Sequence, residues 1–433
     1  MMKRIVIMIA IVLWFTNGSN AQQVQSEKAK AYLAAYMERD PVKAGQLAEQ
    51  FLKDYPQEKT DSEKDKAENI QYLRIYITAI TKYQGQMEDK IKEYLPLMPY
   101  SSVSELYYRE VTLQNMHKLV TPEKLVGRSK LLLDRLLFFQ GKKPAELKDK
   151  SDEEWNKSFE FNYYASVLTH INILRQIGNT KDGIPYAEEG ISHYGYKIAD
   201  LNEDYVLLLD QAGLTARAEK AIEASMKANQ STPAMLDILK RNYLAKKNDP
   251  LGFDAYVESL KSAEGKTMLR DEIAKGMVNR QIPGFKMYDG NGKLVDVKSL
   301  KGKVVVLDFF ASWCTPCKAA FPGMKMAQQY FAGDKDVVFY YVDNQEYGKD
   351  YKTVVMKYIK DNDFPFQVLF DNPGTGPKND QVAKLLGVTA IPRKMILDRD
   401  GAVRFDVEGY DGSPSKLADE IKIMVELTKT VKK

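Results

Sequence analysis

The stretch VVVLDFFASWCTPCKAAFPGM, Val304 to Met324, carries both cysteines of a 433-residue chain, Cys314 and Cys317, three positions apart. Two cysteines placed at random would take that spacing about once in two hundred trials, so the CxxC pair reads as functional. With no other cysteine to build a disulfide framework, folding rests on buried apolar surface, which a chain of this length supplies in two or three domains. Val304 to Phe310 is an apolar run broken only by Asp308, the pattern of a strand covered on both faces. A helix starting at Cys314 would hold its sulfur against the unsatisfied N–H groups of the positive helix end, which favours thiolate, the attacking species. Cys317, one turn on, would be partly covered and within disulfide reach, so an exposed Cys314 attacks and Cys317 resolves. Pro316 at an early helical position costs no hydrogen bond and stiffens the loop. Asp308 in an apolar strand would be buried, which raises its pKa and lets it exchange protons near neutrality. It could take the proton of Cys317 as that sulfur attacks a mixed disulfide.

Outward from this stretch, residues 281–433 alternate strand and helix. A hairpin is expected around Asp289 to Gly292, then a strand at Val304 to Phe310, a helix from Cys314 to about Phe331, a strand at Val337 to Val342, a helix from Tyr347 to Lys360, and strands near Phe366 and Lys394. This is α/β grammar. Residues 22–280 read differently: apolar residues follow helical spacing and strand alternation is scarce. Phe161, Tyr164, Leu168, Ile171 and Leu174 are expected on one helix face, and Leu214, Ala218, Ala221, Ile222 and Met226 on another. Ser231 and Thr232 before Pro233 form a helix start. Tyr32 to Pro56 reads as a helical hairpin. Turns at Gly178, Gly213 and Asn248 fall thirty-five residues apart, and those near Gly85 and Thr121 thirty-six apart. That rhythm is close to the period of tetratricopeptide-type hairpins, though the full consensus is missing in every copy.

Residues 1–21 run from Lys3 and Arg4 through an apolar core, Ile5 to Phe15, to small residues ending at Ala21, the order of a cleaved secretory signal peptide. The apolar run is short of the about 20 residues that span a bilayer. Export places the thiols where disulfides form and persist. Cleavage takes two positive charges from the formal +4, leaving +2. Lysines and acids interleave, as in Lys53 to Asn69, so no basic track for nucleic acid is present. A structural zinc site needs four ligands, and beyond the two cysteines only His117, His170 and His193 remain, all in the helical region. A Cys-His nucleophile pair likewise lacks a nearby base. The loop Asp371 to Asp380 is rich in turn formers and reads as a surface connection.

DFFASWCTPCK, with Asp308, Phe309, Ala311, Trp313, Cys314, Pro316, Cys317 and Lys318, resembles the thioredoxin active-site segment. The preceding GNGKLVDVKSLKGKVVVLDFF and the following AAFPGM narrow the resemblance to exported TlpA/ResA-like thiol-disulfide oxidoreductases. The resemblance covers about Ile282 to Lys433. It implies a thioredoxin fold, Cys314 as nucleophile, Cys317 as resolving thiol, and Ile391 with Pro392 as the cis-proline loop, so that Trp313, Pro316, Ile391 and Pro392 are the expected substrate-binding residues. Two departures stand out. Ala320 occupies a position where many ResA-like members carry glutamate, which shifts proton handling to Asp308. Arg393 follows the proline where threonine is common, and is expected to add charge beside the substrate groove and favour acidic partners.

The expectation is thus a two-part protein: an all-α helical-repeat-like array followed by an α/β thioredoxin fold. It would be exported to the periplasm, need no cofactor or metal, reduce disulfides of other envelope proteins, and draw electrons from a membrane thiol donor. The competing reading is an adaptor whose helical array recruits a protein partner, with the thioredoxin domain as a docking, oxidase or isomerase module.

Overall fold

The computed structural model describes residues 20–57, 64–82, 87–144, 147–247, 252–348, 350–371 and 381–431. The expected signal peptide (apart from Asn20 and Ala21), the turns at Gly85 and Asn248, and the loop after Asp371 lie outside them. No described helix is long and apolar enough to cross a membrane. The chain divides into two compact units, Met1–Asp182 and Gly183–Lys433.

The first unit holds α1 (Asn20–Met37), α2 (Pro41–Asp54), α3 (Lys64–Thr81), α4 (Met87–Tyr94), α5 (Tyr100–Tyr107), a π-helical turn (Tyr108–Thr112), α6 (Leu113–Met116), α7 (Pro122–Leu137) and α8 (Asp152–Gln176). Helices α1 and α2 are the hairpin expected around Tyr32 to Pro56; Asp40 caps α2 by accepting the Lys43 N–H, with Pro41 at the first helical position. Ser151 and Glu154 form a reciprocal capping box on α8. The buried stripe of α8 is Trp155, Phe159, Tyr163, Val167, Ile171 and Leu174, whereas Phe161 is 74% exposed. Of the face expected from Phe161 to Leu174, Ile171 and Leu174 are buried and Tyr164 and Leu168 half-buried, while Phe161 lies about 200° around the helix from Tyr163.

The second unit begins within α9 (Thr180–Tyr194) and continues through α10 (Ala199–Gln211), α11 (Thr215–Lys227), α12 (Pro233–Lys247), α13 (Phe253–Leu260) and α14 (Ala263–Lys275). The turns at Gly178 and Gly213 fall where the spacing puts them. Each glycine has φ near +70°, and the next N–H reaches back five residues, Asn179 to Leu174 O and Leu214 to Leu209 O, both at 2.9 Å, which satisfies orphan carbonyls at the helix end. The thirty-five residues between them hold two helices. At the expected start of α12, Thr232 Oγ accepts the Met235 N–H at 3.4 Å.

After α14 the backbone changes to strands: β1 (Lys286–Asp289), β2 (Leu294–Asp296), β3 (Val304–Phe310), β4 (Val337–Asp343), β5 (Val368–Phe370), β6 (Arg393–Leu397) and β7 (Val403–Glu408). They form one sheet in the order β2-β1-β5-β4-β3-β6-β7. β3 is parallel to β4, and β4 to β5, while β6 and β7 are antiparallel to their neighbours. Helices α15 (Thr315–Tyr330), α16 (Tyr351–Asp361), α17 (Val382–Leu386) and α18 (Pro414–Lys429) cover it. All seven residues of β3 are buried, as its apolar run requires. Val304, Val306 and Phe310 pack with α15 and α18 on one face; Val305, Leu307 and Phe309 pack with α17 on the other.

The expected hairpin, β3, β4 and β6 occur where the sequence places them. The helix expected from Tyr347 begins at Tyr351, and β7 and α18 were not anticipated. Helix α18 crosses α15 at Gly323, where any Cβ would stand 2.7 Å from the Pro414 carbonyl oxygen. It also ties the preceding helices to the sheet. Ser231 N–H donates to Ser415 Oγ at 3.0 Å, Ser413 Oγ–H to Asn229 O at 2.7 Å, and Lys261 pairs with Asp419 at 2.8 Å. The strand grammar thus starts near residue 281, yet α10 to α14 belong to the same compact unit as the sheet.

Candidate active site

β3 ends at Phe310 and the chain turns through Ala311, Ser312 and Trp313 before α15 begins at Thr315. Cys314 is the N-cap, and its Sγ accepts the backbone N–H of Cys317 at 3.2 Å. Its sulfur therefore sits at the positive end of the helix, where a thiolate is stabilised. Cys314 and Cys317 form a disulfide, with 5.3 Å between their Cα atoms.

The expectation of an exposed Cys314 over a covered Cys317 is not met: the two residues are 3% and 1% exposed. Both cysteines belong to the apolar cluster that also holds Phe310, Ala311, Ala320 and Phe321. Trp313, Thr315 and Pro316 around it are exposed, so the disulfide lies directly beneath the surface.

Trp313 is 49% exposed, its indole N–H donates to Gln345 O at 2.8 Å, and its ring centroid is 6.0 Å from that of Tyr347. The Ile391–Pro392 bond is cis. Pro392 is buried, Ile391 is half-buried against the cluster that holds the cysteines, and the Pro392 carbonyl accepts Gly409 N–H at 2.8 Å.

Asp308 is 1% exposed and shares its sheet face with Val304, Val306 and Phe310, the face that α15 covers. Its cross-strand partners are Tyr341 on β4 and Lys394 on β6. The Lys394 Nζ stands 3.8 Å from Asp308 Oδ1, too far for a hydrogen bond, and that oxygen has no hydrogen-bond partner among the described residues. Burial pushes the carboxyl up to about 6, with the Lys394 cation opposing it. The Tyr341 hydroxyl is also pushed up, by burial and then by Asp308, and it donates to Gln328 Oε1 at 3.0 Å.

Two features escaped the sequence reading. Glu346, 1% exposed, accepts the Ser312 backbone N–H and, at 2.8 Å, its hydroxyl, fixing the turn before Trp313 from the β4 side. Lys394 was read only as a strand residue, and its pairing depends on cross-strand register. Arg393, expected to add charge beside the substrate groove, pairs with Asp406 at 2.6 Å and Glu408 at 3.3 Å across the β6–β7 ladder, and Arg280 shares Asp406 at 2.6 Å.

The Redoxin family matches residues 277–421. The thiol-disulfide oxidoreductase ResA of Bacillus subtilis (strain 168) is 30% identical over 135 residues, covering 31% of this chain and 67% of that protein. ResA of Bacillus anthracis is 29% identical over 160 residues, covering 36% and 84%. Among solved structures, a thioredoxin-family thiol:disulfide interchange protein from Chlorobium tepidum TLS is similar over 34% of this chain and 97% of its own, at 24% identity and a TM-score of 0.28. With its CxxC disulfide at the head of α15, the chain is an oxidoreductase and belongs to the TlpA/ResA-like thiol-disulfide oxidoreductases of the thioredoxin superfamily.

Proposed function

We propose that the protein is an exported reductase of disulfides in other envelope proteins, with residues 281–433 as its redox module and residues 22–280 as a tetratricopeptide-like array that presents partners to it. The observation that carries the reading is the placement of Cys314 Sγ at the α15 N-terminus, bonded to the Cys317 N–H, with a buried carboxylate on the same sheet face. In the reduced protein the Cys314 thiolate attacks a substrate disulfide. One substrate sulfur leaves as thiolate and takes a proton from solvent, and the other is held in a mixed disulfide. Cys317 then gives its proton to Asp308 and attacks Cys314; the bond from Cys314 to substrate breaks, the second substrate sulfur departs as thiolate and takes a proton from solvent, and two electrons have passed from the dithiol to the substrate. Asp308 must then shed the proton. A membrane thiol donor would restore the dithiol, and export past residue 21 would put the cycle in the periplasm.

Trp313, Pro316, Ile391 and Pro392 rim the disulfide in this reading and meet the substrate chain. Trapping tests it. Cys317→Ala should accumulate envelope proteins in mixed disulfides on Cys314, releasable by reductant; an equal yield from Cys314→Ala, or none from either, contradicts it. Insulin reduction with a chemical donor separates the reductase from an adaptor, which would show no turnover.

A further inference from the structure

The Asp308–Lys394 pair is not closed on itself. Lys394 is 2% exposed, and its Nζ, 3.8 Å from Asp308, also donates to Gly409 O at 3.3 Å. Lys394 lines a cleft of about 370 Å³ between β7 and α18, together with Gly409, Asp411, Lys416 and Glu420. The register explains the arrangement: Lys394 lies opposite Asp308 on one side and Val407 on the other. One buried cation therefore lies beside a buried carboxylate and lines the same cleft as a second one.

We propose that Glu420 is the solvent-side partner of this pair, a positioning residue that draws Lys394 toward the cleft and so sets the pH range over which Asp308 exchanges the proton of Cys317. The proposal rests on Asp308 acting as that proton acceptor. The groups facing Glu420 are Lys416 on its own helix, 3.7 Å away, Asp411 in the preceding loop, Lys394 on β6 and Glu272 on α14. Those facing Asp308 are Tyr341 and Lys394 on the adjacent strands, and α15, which begins with the cysteine pair, covers the same sheet face. Burial holds the Glu420 carboxyl up at about 7; Lys416 lowers it, Asp411 raises it, Lys394 lowers it and Glu272 raises it. Glu420 thus changes charge in the neutral range. Ionised, it competes for Lys394; protonated, it leaves the cation to Asp308. The cleft has the volume and polar lining for waters that carry the proton onward.

The signs follow from charge alone. Glu420→Gln removes a competing anion, so the Asp308 carboxylate is better stabilised and its midpoint falls, by about half to one unit, a three- to tenfold change in proton affinity. Lys394→Met removes the cation and raises the midpoint.

The step can be read in the full chain with 5,5'-dithiobis(2-nitrobenzoate). Cys314 displaces one thionitrobenzoate to form the mixed disulfide, and Cys317 releases the second, so the second phase in stopped flow reports the Cys317 attack. Its pH profile should shift down in Glu420→Gln, shift up in Lys394→Met, and return toward the parent in Glu420→Asp. A Glu420→Gln profile that superimposes on the parent, even with an altered melting temperature, overturns the proposal. Asp308→Asn separates the two levels. If it erases this ionisation while Glu420→Gln does nothing, only the role of Glu420 falls; if it leaves the profile intact, the reading of Asp308 falls as well.

Discussion

The helical unit and the redox half each bury a chain of three polar side chains, and they treat it in opposite ways. In the helical unit, Tyr107 O–H donates to Ser166 O at 2.8 Å, Ser129 Oγ lies 2.7 Å from that hydroxyl, and His170 Nδ1 lies 2.8 Å from Ser129 Oγ. Each hydroxyl has one proton, so the order is fixed: His170 Nδ1–H donates to Ser129, Ser129 to Tyr107, and Tyr107 to the carbonyl. Burial holds the imidazole down at about 4, so it is neutral at physiological pH. In the redox half, Tyr341, Asp308 and Lys394 lie side by side on adjacent strands, and one carboxylate oxygen of Asp308, Oδ1, is left without a hydrogen-bond donor among the described residues, beside a cation at 3.8 Å. A neutral, satisfied chain holds a core together. A charged and under-satisfied one stores a tendency to take up a proton, which is what a thiol-exchange cycle needs from it.

The sharpest way to break this contrast is Asp308→Asn. If the carboxylate works as proton acceptor, attack by Cys317 should slow by about a hundredfold near neutrality, while alkylation of Cys314 changes far less. Equal slowing of both would make Asp308 a structural group like Ser129.

Opposite pH dependence comes next. The folded pKa of Asp308 is raised from 3.8 to about 6, so the folded state binds its proton more tightly, and stability is lost as pH rises through that window. The folded pKa of His170 is lowered from 6.5 to about 4, so stability is lost as pH falls from 6.5 to 4. Each change amounts to roughly 3 kcal/mol at most. Urea unfolding of a chain lacking residues 1–21 can follow the two halves separately, through Trp155 in a Trp313→Phe background and through Trp313 in a Trp155→Phe background. Parallel pH slopes would contradict the assignment.

Ser129→Ala should cost the helical unit about 1–3 kcal/mol, because it removes the hydroxyl that links His170 to Tyr107 in a buried site. Insulin reduction should be unchanged. The smallest effect is expected at Arg393, whose charge is as well satisfied as the helical network. Arg393→Thr should leave the ratio of rates on acidic and basic disulfide peptides unaltered, and a changed ratio would restore a role for it in substrate choice.

What could be read in the sequence was what is local in it. The CxxC spacing, the proline between the cysteines, the apolar run of β3 and the isolated Asp308 are all written within Val304 to Cys317, and the structure puts the helix start, the strand and the buried carboxylate at those positions. Gly178 and Gly213 marked helix ends because the left-handed turn that closes a helix favours glycine. Long-range features were hidden. Lys394 and Asp308 are 86 residues apart and meet only through the β3–β6 register. Glu346 reaches Ser312 from the end of β4, and Asp406 neutralises Arg393 across a hairpin. β7 did carry a signal, the alternation of Val403, Phe405 and Val407 after a Gly401 turn, and Ser413-Pro414 marked the start of α18. The covered state of Cys314 depends on packing in the apolar cluster around it, which spacing alone does not reveal.

The claim on which the rest depends is that Cys314, capping α15, is the attacking thiol. Iodoacetamide alkylation of the reduced protein across a pH series, with the adduct located by mass spectrometry, tests it directly. The account predicts that Cys314 is modified first, with a midpoint below the ordinary thiol value of about 8.5. Modification of Cys317 first, or a Cys314 midpoint at that ordinary value, would contradict it.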